Sequence, residues 1–548
     1  MNLRSSFIGL FVLILLVLPV NAATDPYLQA LDLFADGHTS EAVNILRVYS
    51  ADKNYILSDH CAHELAKHYE TSGDTEMAKA AFKRIVTEYP DSAFASSVRA
   101  QYFSNKDNKT EPSFLTKLDL AKTFYKEGDL TSAINFLSKM DTSNPEVNYY
   151  LGMSYLRRGK ILEASEKIKT LIEKYPYDDL TIKAKYRIAS YYRAVGMDNI
   201  ADPMLFDLID TKPDSESATS AIFDLGFDLY ARSDFKGSYN IFSKISKKAA
   251  KKDYSRALFW KAKSAQKMGQ ISEYCGVLDT ITNEAPWTYY GLRAFQSSSA
   301  SFLPAYQEQS DQMINRIRAF VSKDRHFQKF MYLYDLGLLN QATIEAHAII
   351  DNKLATVCEA FVIYRQNDFR KAINIAERRD SADEYLDWLI LELSYPKGFE
   401  KEVIETSKTF NLDPFLLFAL IREESRFDPK ALSRVNASGL TQIMPRTGRI
   451  IAKQHNIKGY KTVSLLDPKL NIHMGASYLS DMIRLHKGDV FLALAAYNAG
   501  PGNVRKWIRK RGYSDTDEFV ENIPLKETRH YVQKVMGSYW QYRRLYEK

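Results

Sequence analysis

The chain has 548 residues, 74 Lys and Arg against 67 Asp and Glu, and three cysteines. The length exceeds one ordinary domain, and a chain that is 45% hydrophobic and 26% charged is neither disordered nor fibrous. Cys61, Cys275 and Cys358 lie far apart, which excludes a disulfide scaffold and leaves room for one bridge at most.

The N-terminal stretch reads as an address. Arg4 supplies a positive charge, Phe7 to Leu18 is apolar, and Val20-Asn21-Ala22 ends in a small residue. Pro19 breaks the apolar run, which is short against the roughly 20 residues of a membrane span. Residues 1–22 are expected to be a cleaved signal peptide, placing an exported protein in the periplasm, at a membrane surface at most.

From 23 to 395, a glycine or polar stand-in recurs between pairs of helical patterns. The positions are Gly37, Gly73, Gly128, Gly159, Gly196, Ser233, Gly269, Gly337 and Asn367, with several spacings near 36 residues. That is the range of helix–turn–helix solenoids. Two units match the tetratricopeptide pattern position by position. One has Leu65, Ala66, Tyr69, Gly73, Ala78, Phe82 and Pro90; the other has Leu151, Gly152, Tyr155, Gly159, Ala164, Ile168 and Pro176. Such arrays present a broad curved surface, which leaves two readings open from sequence: binding of protein partners through the repeats, or a purely architectural spacer. His60, His63 and His68 invite a metal reading, but a zinc helix needs histidines at i and i+4, and His63 and His68 are at i and i+5. Neither a metal nor any other cofactor is expected.

The repeat signal fades at Ser394-Tyr395-Pro396-Lys397-Gly398, and a helix over Glu400–Phe410 opens a new domain, 396–548. This part carries 26 Lys and Arg against 16 Asp and Glu, a net of +10, which suits an anionic partner. Export removes nucleic acid from that list and leaves a cell-wall polymer or a membrane surface.

Asp413-Pro414 begins the next helix as N-cap and first residue, and Pro429 should stop it near Phe427 or Asp428. At about 100° per residue, Glu424 falls among Leu417, Leu420 and Ile421, whereas Glu423 falls towards Arg422 and Arg426 on the wet side. A carboxyl aimed at apolar surroundings holds its proton more tightly and can serve as a general acid. Small residues at 437–439 then suggest a tight backbone path, and Leu440 to Met444 an extended piece with Gln442 and Met444 on one side. Helices are expected over Arg446–Gln454, after Asp467-Pro468 and over Val490–Gly500. Asn503 should cap the one that follows.

Taken together, Glu424-Ser425, GLTQIMP at 439–445, AAYNAGPG at 495–502 and IPLKETRHYV at 523–532 resemble the soluble lytic transglycosylases. The resemblance implies a mainly all-α fold: a TPR-like α-superhelical repeat array followed by a lysozyme-like domain of goose type, α+β and mostly helical. It implies peptidoglycan glycan strands as substrate, cleaved without water between N-acetylmuramic acid and N-acetylglucosamine to 1,6-anhydromuramoyl products. Glu424 would act as acid and then base. Gln442 and Asn498 would hydrogen-bond the sugar, Met444 would pack on its ring, and Tyr497 would orient Glu424. Glu527 would bind substrate, with Ser425 behind the acid. The family commonly has glutamine where Glu423 stands. The rivals are a muramidase using Asp428 as second carboxylate, and a scaffold that binds glycan without cutting it.

Overall fold

The computed structural model describes residues 25–102, 117–297, 324–377, 390–455, 457–512 and 515–547. The expected signal peptide lies outside them. The described residues are helical almost throughout. Instead of a strand they hold two isolated bridges, Leu432 to Ser438 and Ser438 to Ile443. The β part expected of an α+β domain is therefore reduced to a bridged loop. No described helix is long and apolar enough to cross a membrane, and all three cysteines are free thiols.

Every one of the nine recurring turn residues sits at positive φ, from 62° at Asn367 to 88° at Gly128. Each ends one helix and leads into its antiparallel partner. The turn is a Schellman closure: the Asp74 amide reaches back to the Tyr69 carbonyl at 3.0 Å, and Lys160 does the same to Tyr155 at 2.9 Å. Where aspartate follows, as at Asp74, Asp129, Asp234 and Asp368, its side chain caps the next helix. Ser233 and Asn367 hold the left-handed conformation without glycine, at about 1 kcal/mol each.

Contacts divide the described chain into two compact units, 25–102 with 324–547, and 117–297. The second is built of paired helices around apolar clusters, among them Phe242, Tyr230 and the fully buried Trp260. In the first, the N-terminal helices close on the 324–376 helices through a core containing Tyr27, Leu46, Phe327, Phe330 and Phe361. A buried charged cluster lies in the same contact. Glu345 accepts from His60 Nε2 at 2.7 Å and from His326 Nδ1 at 2.6 Å, and Lys329 pairs with Asp59. Burial alone would raise the Glu345 pKa, but the two imidazoles and Lys329 outweigh it and hold it down at about 2. His63, in turn, stacks on Phe94 at 3.9 Å between ring centroids. The histidines that looked like ligands thus have polar and aromatic partners inside a repeat.

The segment around Ser394 to Phe399 is pinned to the domain that follows. The Tyr542 hydroxyl donates to the Pro396 carbonyl at 2.7 Å and that of Tyr546 to the Tyr395 carbonyl at 2.9 Å. A Cβ on Gly398 would fall 2.8 Å from the Phe427 ring, so only glycine fits this approach.

Candidate active site

The central helix runs Pro414–Ser425, capped by Asp413, whose carboxylate accepts from the Phe415 amide at 2.8 Å. Leu416 to Ile421 are all buried. The helix ends two to three residues before the expected stop. Arg426 and Phe427 both adopt the left-handed conformation, at φ 53° and 62°. Tertiary contacts stabilise them: Phe427 is buried beside Phe369 and Phe418, and Arg426 pairs with Glu377 at 2.7 Å.

Glu424, in the last turn, is half-buried. The Tyr531 hydroxyl, from the terminal helix Lys526–Tyr546, donates to its Oε1 at 2.7 Å. Desolvation pushes the Glu424 pKa up to about 8; the Tyr531 bond pulls it back part of the way, and the Glu423 charge adds to the rise. A carboxyl in this state carries its proton at neutral pH.

Glu423 is not on the wet side as expected. Its carboxylate pairs with Arg422 and accepts from Ser538 Oγ at 2.6 Å. Arg422 is itself buried: it donates to the Ser394 carbonyl at 2.7 Å, lies 4.1 Å from the Tyr395 ring centre and pairs with Glu377. The helical wheel missed this because the face it took for solvent is covered by 377, 394–395 and 538. Asp428 accepts from Arg370 at 2.8 Å and from the Lys430 amide at 2.8 Å.

The 438–444 loop lies against the helix end. It is not extended, because Gln442 is left-handed at φ 49°, which breaks the alternation that would align Gln442 with Met444. Asn471, fully buried, clamps it. Its Oδ1 accepts from the Thr441 amide at 2.7 Å, and its Nδ2 donates to the carbonyls of Ser438 and Leu465 at 2.9 Å each. A Cβ on Gly475 would strike the Thr441 side chain at 2.4 Å, so the glycine inside that helix admits the loop. Two loop carbonyls then fix the site's walls: Leu440 accepts from Ser425 Oγ at 2.8 Å and Thr441 from the Tyr497 hydroxyl at 2.9 Å.

The anticipated residues divide accordingly. Burial pushes the Tyr497 phenol well up and the nearby Glu424 charge adds to the rise, but its hydroxyl is engaged by the loop. The phenol bonded to Glu424 is Tyr531, which sequence reasoning passed over. Ser425 is buried and bonds backbone. The Gln442 amide nitrogen donates to the Gly439 carbonyl at 2.8 Å and the Ala431 carbonyl at 3.1 Å. Met444 is 41% exposed, which core packing does not explain. Asn498 accepts from Thr528 at 2.7 Å, and Glu527 is exposed in the first turn of the terminal helix. The helix after Gly500 begins at Pro501; Asn503 lies inside it and bonds the Ala499 carbonyl. Among the described residues, no group of three or more His, Cys, Asp or Glu is placed to hold a metal ion.

Residues 401–520 match the family profile described as Transglycosylase SLT domain. This part of the chain is an SLT domain. Tetratricopeptide repeats match at 64–92 and 146–176, the two units read from the sequence. The chain is 38% identical over 159 residues to a soluble lytic murein transglycosylase of Escherichia coli K12, covering 28% of this chain and 25% of that protein. A soluble lytic murein transglycosylase of Salmonella typhimurium is 38% identical over 152 residues, 27% of this chain and 24% of that one. The sequence match thus spans about a quarter of these curated relatives. In fold the likeness is wider. The 70 kDa soluble lytic transglycosylase of Escherichia coli superposes with a TM-score of 0.52 at 18% identity, covering 94% of this chain and 91% of that one.

Proposed function

We propose that the protein is a peptidoglycan lytic transglycosylase, with a repeat region over 23–395 and a catalytic domain over 396–548. The observation that carries the proposal is Glu424: a largely desolvated carboxyl, hydrogen-bonded by Tyr531, with its pKa up at about 8. It is protonated where a glycosidic oxygen needs a proton.

In the proposed reaction Glu424 donates that proton to the oxygen between N-acetylmuramic acid and N-acetylglucosamine. The bond from the anomeric carbon to that oxygen breaks, and charge develops on the muramoyl ring. The sugar's own 6-hydroxyl oxygen then bonds to the anomeric carbon, and its proton returns to Glu424. The products are a free 4-hydroxyl and a 1,6-anhydro ring, with no water consumed. Tyr531 holds Glu424 in register. Tyr497 lines the acid's side of the cleft, and Met444, Asn498, Gln442 and Glu527 meet the glycan. Ser425 acts from behind, holding the loop.

A hydrolytic muramidase would call on a second carboxylate, and Asp428 is engaged by Arg370 and the Lys430 amide instead. The names of these relatives support murein as the substrate, and with the signal-like N-terminal stretch of the sequence they support the periplasm as the site of action. The repeat array is assigned to protein partners of the enzyme. The test is mass spectrometry of murein digested by the purified protein: released muropeptides should lack one water relative to muramidase products, and Glu424→Gln should release none. Products of full hydrolytic mass would refute the reaction.

A further inference from the structure

The proposed acid has an electrostatic connection to the repeat array that its own domain does not explain. Glu377 is the C-cap of the helix Phe369–Ala376, the negative end of that helix's dipole, where a carboxylate is disfavoured. Two cations hold it there: Arg422, the buried arginine two residues before Glu424, and Arg426 at 2.7 Å. Arg422 also pairs with Glu423. Two carboxylates and two guanidiniums thus form one balanced cluster at the back of the acid helix, with Ser538 bridging Arg422 at 3.3 Å and Glu423 at 2.6 Å. A second tie, Arg370 to Asp428 at 2.8 Å, runs from the same helix Phe369–Ala376 to the turn just past the acid helix and touches none of these four groups.

We propose that Glu377 is a positioning residue for the acid: by sharing Arg422 with Glu423, it sets the charge that Glu424 senses, and so couples the repeat-region helix Phe369–Ala376 to the chemistry. This rests on the assignment of Glu424 as the acid. The titratable groups facing Glu424 are Tyr531 on the terminal helix, Tyr497 on the helix Val490–Ala499, and Glu423 on its own helix. Behind Glu423 stand Arg422, Glu377, Arg426 and Tyr395. With Glu377 neutral, one positive charge in the cluster is left uncompensated, and a nearby positive charge favours the ionised form of Glu424. The acid then loses its proton at lower pH.

The test compares Glu377→Gln, Glu377→Asp and Arg370→Gln in the full-length protein, with activity on murein followed across pH. Glu377→Gln should move the basic limb of the profile down by about half to one pH unit, as expected for one neighbouring charge. Glu377→Asp should restore it, and Arg370→Gln should leave it in place. An unmoved limb in Glu377→Gln, or an equal shift in Arg370→Gln, would overturn the proposal, the latter by revealing plain loosening of the contact. Titration of carbon-13-labelled glutamate carboxyls, assigned with Glu424→Gln, reads the same shift without turnover. It therefore separates failure of this coupling from failure of the proposed reaction.

Discussion

Tyr531 donates a hydrogen bond to Glu424 across 107 residues of sequence, at 2.7 Å. The bond favours the ionised carboxylate, opposing the burial that raises its pKa. Tyr531→Phe should therefore move the basic limb of the pH–rate profile upward, opposite in sign to Glu377→Gln. It should also lower kcat by about tenfold, because the acid loses its orienting partner. An unchanged limb would mean that the bond is absent in solution.

Glu424 should also cost the protein stability at high pH. Its folded pKa of about 8 lies above its unfolded value of 4.5, so the folded state binds the extra proton and stability falls as pH climbs between the two. Glu424→Gln removes that penalty. Melting curves should show the variant about 3–6 °C more stable than the parent at pH 9, and equal to it at pH 4. A variant less stable at pH 9 would contradict the desolvated carboxyl.

Asn471 should matter as much as any residue in the cleft without reaching substrate. Asn471→Ala strands the Thr441 amide and the Ser438 and Leu465 carbonyls in a buried site. The expected loss is about 2–4 kcal/mol in denaturant unfolding. Activity should fall too, since the loop that bonds Ser425 and Tyr497 loses its clamp.

The buried Glu345 cluster predicts a pH window for the unit it closes. His326 gains its Glu345 partner and has a raised pKa, so its contribution is full below 6.5 and is lost as pH rises through the raised value. Glu345, held down at about 2, contributes fully above 4.5 and loses that as pH falls. Glu345→Ala should therefore destabilise most between pH 4.5 and 6.5, by about 3–5 kcal/mol, as for a broken buried pair. A deficit that does not vary from pH 4 to 8 would count against the ionised cluster.

Local rules made the array legible. A glycine, serine or asparagine between paired helices needs only its own φ, helped at four positions by the capping aspartate that follows, and all nine turned as read. The start of the acid helix was legible for the same reason, through Asp413 and Pro414. Its end was not, because two left-handed residues there are held by Phe369, Asn374 and Glu377, some 50 residues earlier. Glu424 could be singled out by its angle on one helix. Its partner Tyr531 stood inside the block IPLKETRHYV at 523–532, but helix angle alone could not say that it reaches Glu424 from 107 residues away. The wheel put Glu423 in water because it cannot see the segment that covers Arg422.

The claim that most needs testing is that the 6-hydroxyl, and not water, closes the reaction. Murein should be digested by the purified protein in water enriched in heavy oxygen and the released muropeptides weighed. The released 1,6-anhydro ends should carry no label. Heavy oxygen at the new reducing ends would contradict the claim.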